Sequence, residues 1–180
     1  MKKNSTGFTL IELLISITIF IMMTVMVYAN YALYQNITKV KLSLKEVSQN
    51  IHKARNMAIN GYDKNKVNQS VGIYFDLNDN NTIKFYSFDY DKQVNLDLEH
   101  LIEEKKLQDY VTLNKIGDKN NLMIYFSSIY GKPTLYYFDN GEKVEINDDE
   151  IKFEISFKNA LYYPLKRDLK YFKNTNVVDY

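Results

Sequence analysis

The chain has 180 residues, 46% of them hydrophobic, with a formal net charge of +1. It has no cysteine, which excludes disulfides and thiol chemistry, and its near-neutral charge argues against general electrostatic binding of nucleic acid. The length suits one domain plus an extended helix. The two histidines, His52 and His100, lie far apart in sequence, and no nucleophile–histidine–acid spacing, phosphate-binding loop or metal motif appears. Catalysis and cofactor binding therefore find no support.

The chain opens with a short basic leader, Lys2 and Lys3, and reaches Gly7. The segment Phe8-Thr9-Leu10-Ile11-Glu12-Leu13-Leu14-Ile15 follows, and from Phe8 to Ala29 the only charge is Glu12. A bilayer core about 30 Å thick needs roughly 20 apolar residues as a helix, so the run is long enough for one span. The basic leader places the N-terminus on the cytoplasmic side and the rest of the chain outside. An ordinary secretory signal would carry a small-residue cleavage site after its apolar core. Here the small residue, Gly7, precedes the run, and no A-x-A pattern follows it. A carboxylate at the mouth of an apolar helix is costly without a partner, and ionisable groups at membrane depth tend to be functional.

The helix is predicted to continue past the membrane. Leu33, Ile37, Val40, Leu44, Val47, Ile51, Ala54 and Ala58 recur at spacings of four and three, an apolar stripe on one helix face. Asn60-Gly61 supplies the stop, with Gly61 as the C-cap. Residues 62–70 read as a loop. Val71–Leu77 and Thr82–Phe88 flank the turn residues Asn78-Asp79-Asn80-Asn81 and predict a hairpin. Residues 94–108 are ambiguous; Leu98, Leu101, Ile102 and Lys105 could form a short helix. Tyr110–Ile116 and Leu122–Ser127 are expected strands. Thr134–Phe138 and Lys143–Ile146 flank Asp139-Asn140-Gly141, a strong hairpin signal. Ile151, Phe153, Ile155 and Phe157 alternate with polar residues as an amphipathic strand. The tail from Lys158 to Tyr180 lacks firm periodicity. One long helix followed by antiparallel strands is an α+β arrangement, with the sheet expected on the stripe.

Gly7-Phe8-Thr9-Leu10-Ile11-Glu12-Leu13 resembles the prepilin processing motif of type IV pilins and type II secretion pseudopilins. The resemblance implies a pilin-like fold and division into a leader peptide at 1–7, a transmembrane or filament-core helix half at 8–32, and a globular head at 33–180. That head would include the amphipathic helix half 33–60 and a β region at 71–157. It further implies cleavage by a prepilin peptidase between Gly7 and Phe8, and N-methylation of Phe8. Loss of residues 1–7 would bring the net charge from +1 to −1. Glu12 becomes the assembly charge, neutralising the cationic amino terminus of a neighbouring subunit. The implied partners are other pilin subunits, the peptidase, an inner-membrane platform protein, an assembly ATPase and the cytoplasmic membrane, with no cofactor. The expected location is the cytoplasmic membrane with the C-terminal domain outside, then an extracellular pilus or pseudopilus. The segment His52–Asn60 before a hairpin, with Leu107–Leu113 and Ile124-Tyr125-Phe126 before Gly131, is also similar to the H-type minor pseudopilins. The proline and glycine usual before the first of those strands are missing.

A competing class is a minor pilin that binds DNA or another ligand. The tail interleaves Lys158, Lys166, Arg167, Lys170 and Lys173 with Tyr162, Tyr163, Tyr171 and Phe172, a composition that suits single-stranded nucleic acid; Asp168 and Asp179 dilute it. Asp76–Asn80 resembles the start of a calcium loop but lacks its glycine and its closing glutamate, so a polar hairpin turn is the better reading. Asp148-Asp149-Glu150 likewise reads as a solvated turn.

Overall fold

The computed structural model describes residues 8–62, 69–79, 82–89, 96, 100–108, 111–139, 142–158 and 165–179. Helix α1 runs Leu10–Asn60, and Gly61 adopts φ +80°, the left-handed conformation of a C-cap. The chain divides into two compact units, Met1–Asn36 and Ile37–Tyr180.

Among the described residues of the second unit, ten strands follow the helix: β1 (Ser70–Asp76), β2 (Thr82–Phe88), β3 (Leu101–Lys106), β4 (Val111–Ile116), β5 (Asn121–Phe126), β6 (Pro133–Asp139), β7 (Glu142–Ile146), β8 (Glu150–Phe157), β9 (Lys166–Phe172) and β10 (Val177–Asp179). They form two antiparallel sheets, a six-stranded one in the order β3-β2-β1-β5-β6-β7 and a four-stranded one in the order β10-β9-β8-β4. The architecture is α+β and consistent with a pilin fold.

The helix is held by the stripe that the sequence predicts. Val40, Leu44, Val47, Ile51, Ala54 and Ala58 are buried in one continuous core. Both sheets contribute to that core, through Val71, Ile73, Phe75, Ile124 and Phe126 from one and Leu113, Phe153, Ile155, Leu169 and Tyr171 from the other. Phe75 and Phe153 meet edge to face across it at 5.0 Å. The stripe is buried from Val40 onward; Leu33 is exposed. The two hairpins expected at 71–88 and 134–146 are antiparallel pairs, although Asn80, Asn81, Asn140 and Gly141 lie outside the described residues.

Two segments that the sequence leaves open take definite form. Residues 101–106 form β3 rather than helix, pairing with the edge of β2. The charged side chains of β3 reach the helix: Lys105 pairs with Glu46 at 3.2 Å and donates to Asn50 Oδ1, and Glu103 pairs with Lys53. An edge strand rich in charge resists pairing with another chain. The tail, read as aperiodic, supplies β9 and β10. Leu169 and Tyr171 enter the core from β9, while Lys166, Asp168 and Lys170 lie on the other face, matched diagonally to β8: Lys170 with Glu150 at 2.9 Å, Asp168 with Lys152 at 3.7 Å, and Lys166 with Glu154 at 3.3 Å.

Candidate functional site: the N-terminal helix and its carboxylate

Thr9 is the last residue before the helix, and Glu12 lies in its first turn. The Glu12 carboxylate accepts two hydrogen bonds at Oε2, from the Thr9 backbone N–H at 2.9 Å and from the Thr9 hydroxyl at 2.8 Å. A long return bond of 3.4 Å runs from the Glu12 N–H to Thr9 Oγ1. This is a capping box, the reciprocal pairing that satisfies donors left open at a helix start. It also partly solves the cost that the sequence exposes, because the lone acid is hydrogen-bonded before any partner arrives. Thr9 is a site residue that the motif reading passed over; its signal is the T-x-x-E spacing of Thr9 and Glu12.

Beyond the cap, the helix presents apolar surface on every side. Phe8 is 84% exposed, and Leu10, Phe20, Met26, Val27 and Tyr28 are exposed as well. This stretch is long and apolar enough to cross a membrane. Its hydroxyls bond back into the helix: Ser16 to the carbonyl of Glu12, Thr18 to Leu14 and Thr24 to Phe20, at 2.8–2.9 Å. Bonded in this way, these three hydroxyls do not face hydrocarbon unmatched. Gly7 lies outside the described residues.

The family described as the prokaryotic N-terminal methylation motif matches residues 2–28. That match covers the N-terminal segment and supports reading the chain as a type IV pilin-like prepilin. The motif supports a substrate of the prepilin peptidase and implies other pilin subunits as partners. The apolar helix suits anchorage in the inner membrane. The pilin family is structural rather than enzymatic. No curated protein and no solved structure matches the chain.

The other candidate residues fall in the head. Lys166, Arg167 and Lys170 lie on β9, with Lys173 just beyond it. Lys166 and Lys170 are paired with glutamates of β8, and Lys173 donates to the carbonyl of Ile146 at 3.4 Å. Tyr171 does not share their face: it is fully buried and donates its hydroxyl to Asn176 Oδ1 at 2.8 Å. Tyr162 and Tyr163 lie outside the described residues. The turn acids near residue 78 are also engaged. Asp76 Oδ1 accepts the Asn78 N–H, while Asp79 accepts the Thr82 hydroxyl at 2.7 Å and pairs with Lys84 at 3.0 Å. The Thr82 bond, followed by Lys84, holds the Asp79 carboxyl below the usual aspartate range.

Proposed function

We propose that this prepilin is a structural subunit of a type IV pilus-like or pseudopilus filament. Residues 1–7 form the leader, cleavage falls between Gly7 and Phe8, and Phe8 carries the methylated amino terminus. The apolar helix first anchors the subunit in the cytoplasmic membrane and then bundles with the helices of other subunits, leaving the head outside. Glu12 provides the assembly charge: its carboxylate neutralises the amino-terminal cation of a neighbour. An inner-membrane platform and an assembly ATPase drive extraction, and the product is an extracellular filament.

One observation carries this reading: an exposed, all-round apolar N-terminal stretch of helix, whose one carboxylate is fixed at its first turn. A helix of this kind needs lipid or other helices around it, and a buried carboxylate needs a cation. DNA binding by the head is the weaker alternative, because two of its four cations are already matched by acids.

The test is mass spectrometry of the amino-terminal peptide from sheared extracellular filaments and from membranes. Abundant N-methyl-Phe8 in the filaments supports a main subunit. The same peptide at low copy and only in membranes points to a minor component. A peptide beginning at Met1 in both fractions, or a mature Phe8 terminus from Gly7→Val, overturns the processing assignment.

A further inference from the structure

The turn between β5 and β6 is built to hold two apolar side chains out in solvent. Ile129 has φ +70°, and the Tyr130 N–H donates to the Ser128 carbonyl across it at 2.8 Å. This is a γ-turn of the positive-φ kind, which is rare and strained, and a β-branched residue seldom occupies that region. Such strain costs on the order of 1–3 kcal/mol and persists only where surrounding structure enforces it. Here the enforcement is explicit. Gly131 N–H donates to Ser127 O at 2.9 Å, Ser127 N–H to Lys132 O at 3.0 Å, Lys132 N–H to Ser127 Oγ at 3.1 Å, and Ser128 N–H to Ser70 Oγ at 3.1 Å. Gly131, at φ +58°, lies so close to the helix that a Cβ would sit 2.8 Å from the Ile59 side chain. The result is a rigid knob seated on the helix end, with Tyr130 80% and Ile129 55% exposed.

At the same end of the helix lies a shallow cleft of about 470 Å³, lined by Gln49, His52, Lys53, Asn56, Met57 and Asn60, with Gly61 at its end. Met57 provides an apolar floor, because it packs on the core, while the exposed His52 and Asn56 provide a polar rim. A tyrosine fits that chemistry: its ring is apolar, favours contact with a thioether, and carries a hydroxyl needing a polar partner.

We infer that the Ile129–Tyr130 knob of one subunit docks into the helix-end cleft of a second copy of this chain. This rests on the filament reading and names a contact within it. In a helical filament, where one screw operation relates each copy to the next, the knob-to-cleft contact is heterologous and propagates along the array. Its size agrees. Ile129, Tyr130 and the flank of Ile59 offer roughly 300 Å², the scale of an ordinary monomer's largest apolar patch, against about 800 Å² per partner in a stable interface. Alone, the patch is too small to hold two heads together in solution. It suffices where helices already hold copies at high effective concentration, and the preformed turn loses little entropy on docking.

Because the chain has no cysteine, the double variant Tyr130→Cys with Asn56→Cys tests the contact in full-length protein. Under mild oxidation, sheared filaments should give a ladder of disulfide-linked multimers, and neither single variant should. Tyr130→Ser and Asn56→Trp, both at exposed positions, should each lower filament yield about tenfold, with processed subunit in membranes unchanged. Wild-type-like filaments from both variants, with no ladder from the double variant, overturn the contact and leave the filament reading standing. Absence of filaments from the wild type overturns both.

Discussion

Glu12 caps the helix and is proposed to carry the assembly charge; a single alanine substitution would confuse the two roles, and the capping box allows them to be separated. Thr9→Val removes the hydroxyl that donates at 2.8 Å but leaves the carboxylate charged. Losing a cap of this kind costs about 1 kcal/mol, or about fivefold in an equilibrium constant. Glu12→Gln does the reverse. It keeps an amide oxygen where Oε2 accepts the Thr9 N–H and hydroxyl, since glutamine serves the same box, but it removes the charge. If the carboxylate neutralises a neighbour's amino terminus in the apolar filament core, its loss leaves a cation unpaired at a cost of roughly 3–5 kcal/mol. That corresponds to a hundredfold or more in assembly. Filament yield after shearing, normalised to processed subunit in the membrane, gives the comparison. Thr9→Val should fall by no more than about fivefold, while Glu12→Gln and Glu12→Ala should both fall about a hundredfold or more with unchanged processing. Wild-type yield from Glu12→Gln, together with strong loss in Glu12→Ala, would refute the charge argument and assign the role to the helix cap.

Three further outcomes are expected. Ile51→Ala, at a fully buried stripe position, should lower the unfolding free energy of the detergent-solubilised chain by about 2–5 kcal/mol, measured by denaturant titration; a loss under about 1 kcal/mol would mean the sheets do not clamp the helix there. Asp79→Asn should lower stability by less than about 1 kcal/mol at neutral pH, because its partners are partly exposed. Its carboxyl is depressed in the folded state, so that contribution is present above the ordinary aspartate range and fades as pH falls through the folded value; a difference that persists in strong acid would contradict this. Ile129→Gly relieves the positive-φ strain and should leave thermal stability equal or higher by up to about 1 kcal/mol, while lowering filament yield; a clear drop in melting temperature would show that the turn is not strained.

The fold was legible wherever burial on one face imposed a period. The stripe from Val40 to Ala58 and the alternation through Ile151, Phe153 and Ile155 mark their inward faces directly, and both are buried. The two segments left open lack that imprint for different reasons. In β3 the sequence Leu-Ile-Glu-Glu-Lys-Lys uses Glu103 and Lys105 to reach the helix, so polar residues occupy the face that periodicity assigns to apolar ones. In β9 Leu169 and Tyr171 are buried, and Lys166, Asp168 and Lys170 are charges matched to β8. Its strand character is a property of the pair, because cross-strand partners decide it more than propensity does. At the N-terminus the carboxylate stood out because it interrupts an apolar run, whereas Thr9 did not. Threonine in an apolar segment attracts little notice until its spacing to Glu12 is read as a cap.

The same pairing logic bears on which part of the head can recognise anything. On the outer face of the four-stranded sheet, Lys152 stands opposite Lys170 and Glu154 opposite Asp168 in the strand register. Like charges directly opposite each other are unfavourable, and the diagonal pairs offset this by setting each side chain against an opposite charge. A polyanion docking there would have to displace Glu150 and Glu154 from Lys170 and Lys166, exchanging one ion pair for another in high dielectric, with little net gain. The Ile129–Tyr130 turn is different, because its exposed rings and methyls have nothing to give up but water. Charge on this sheet face is matched within it, whereas the exposed turn is apolar. That favours assembly with further protein over capture of nucleic acid.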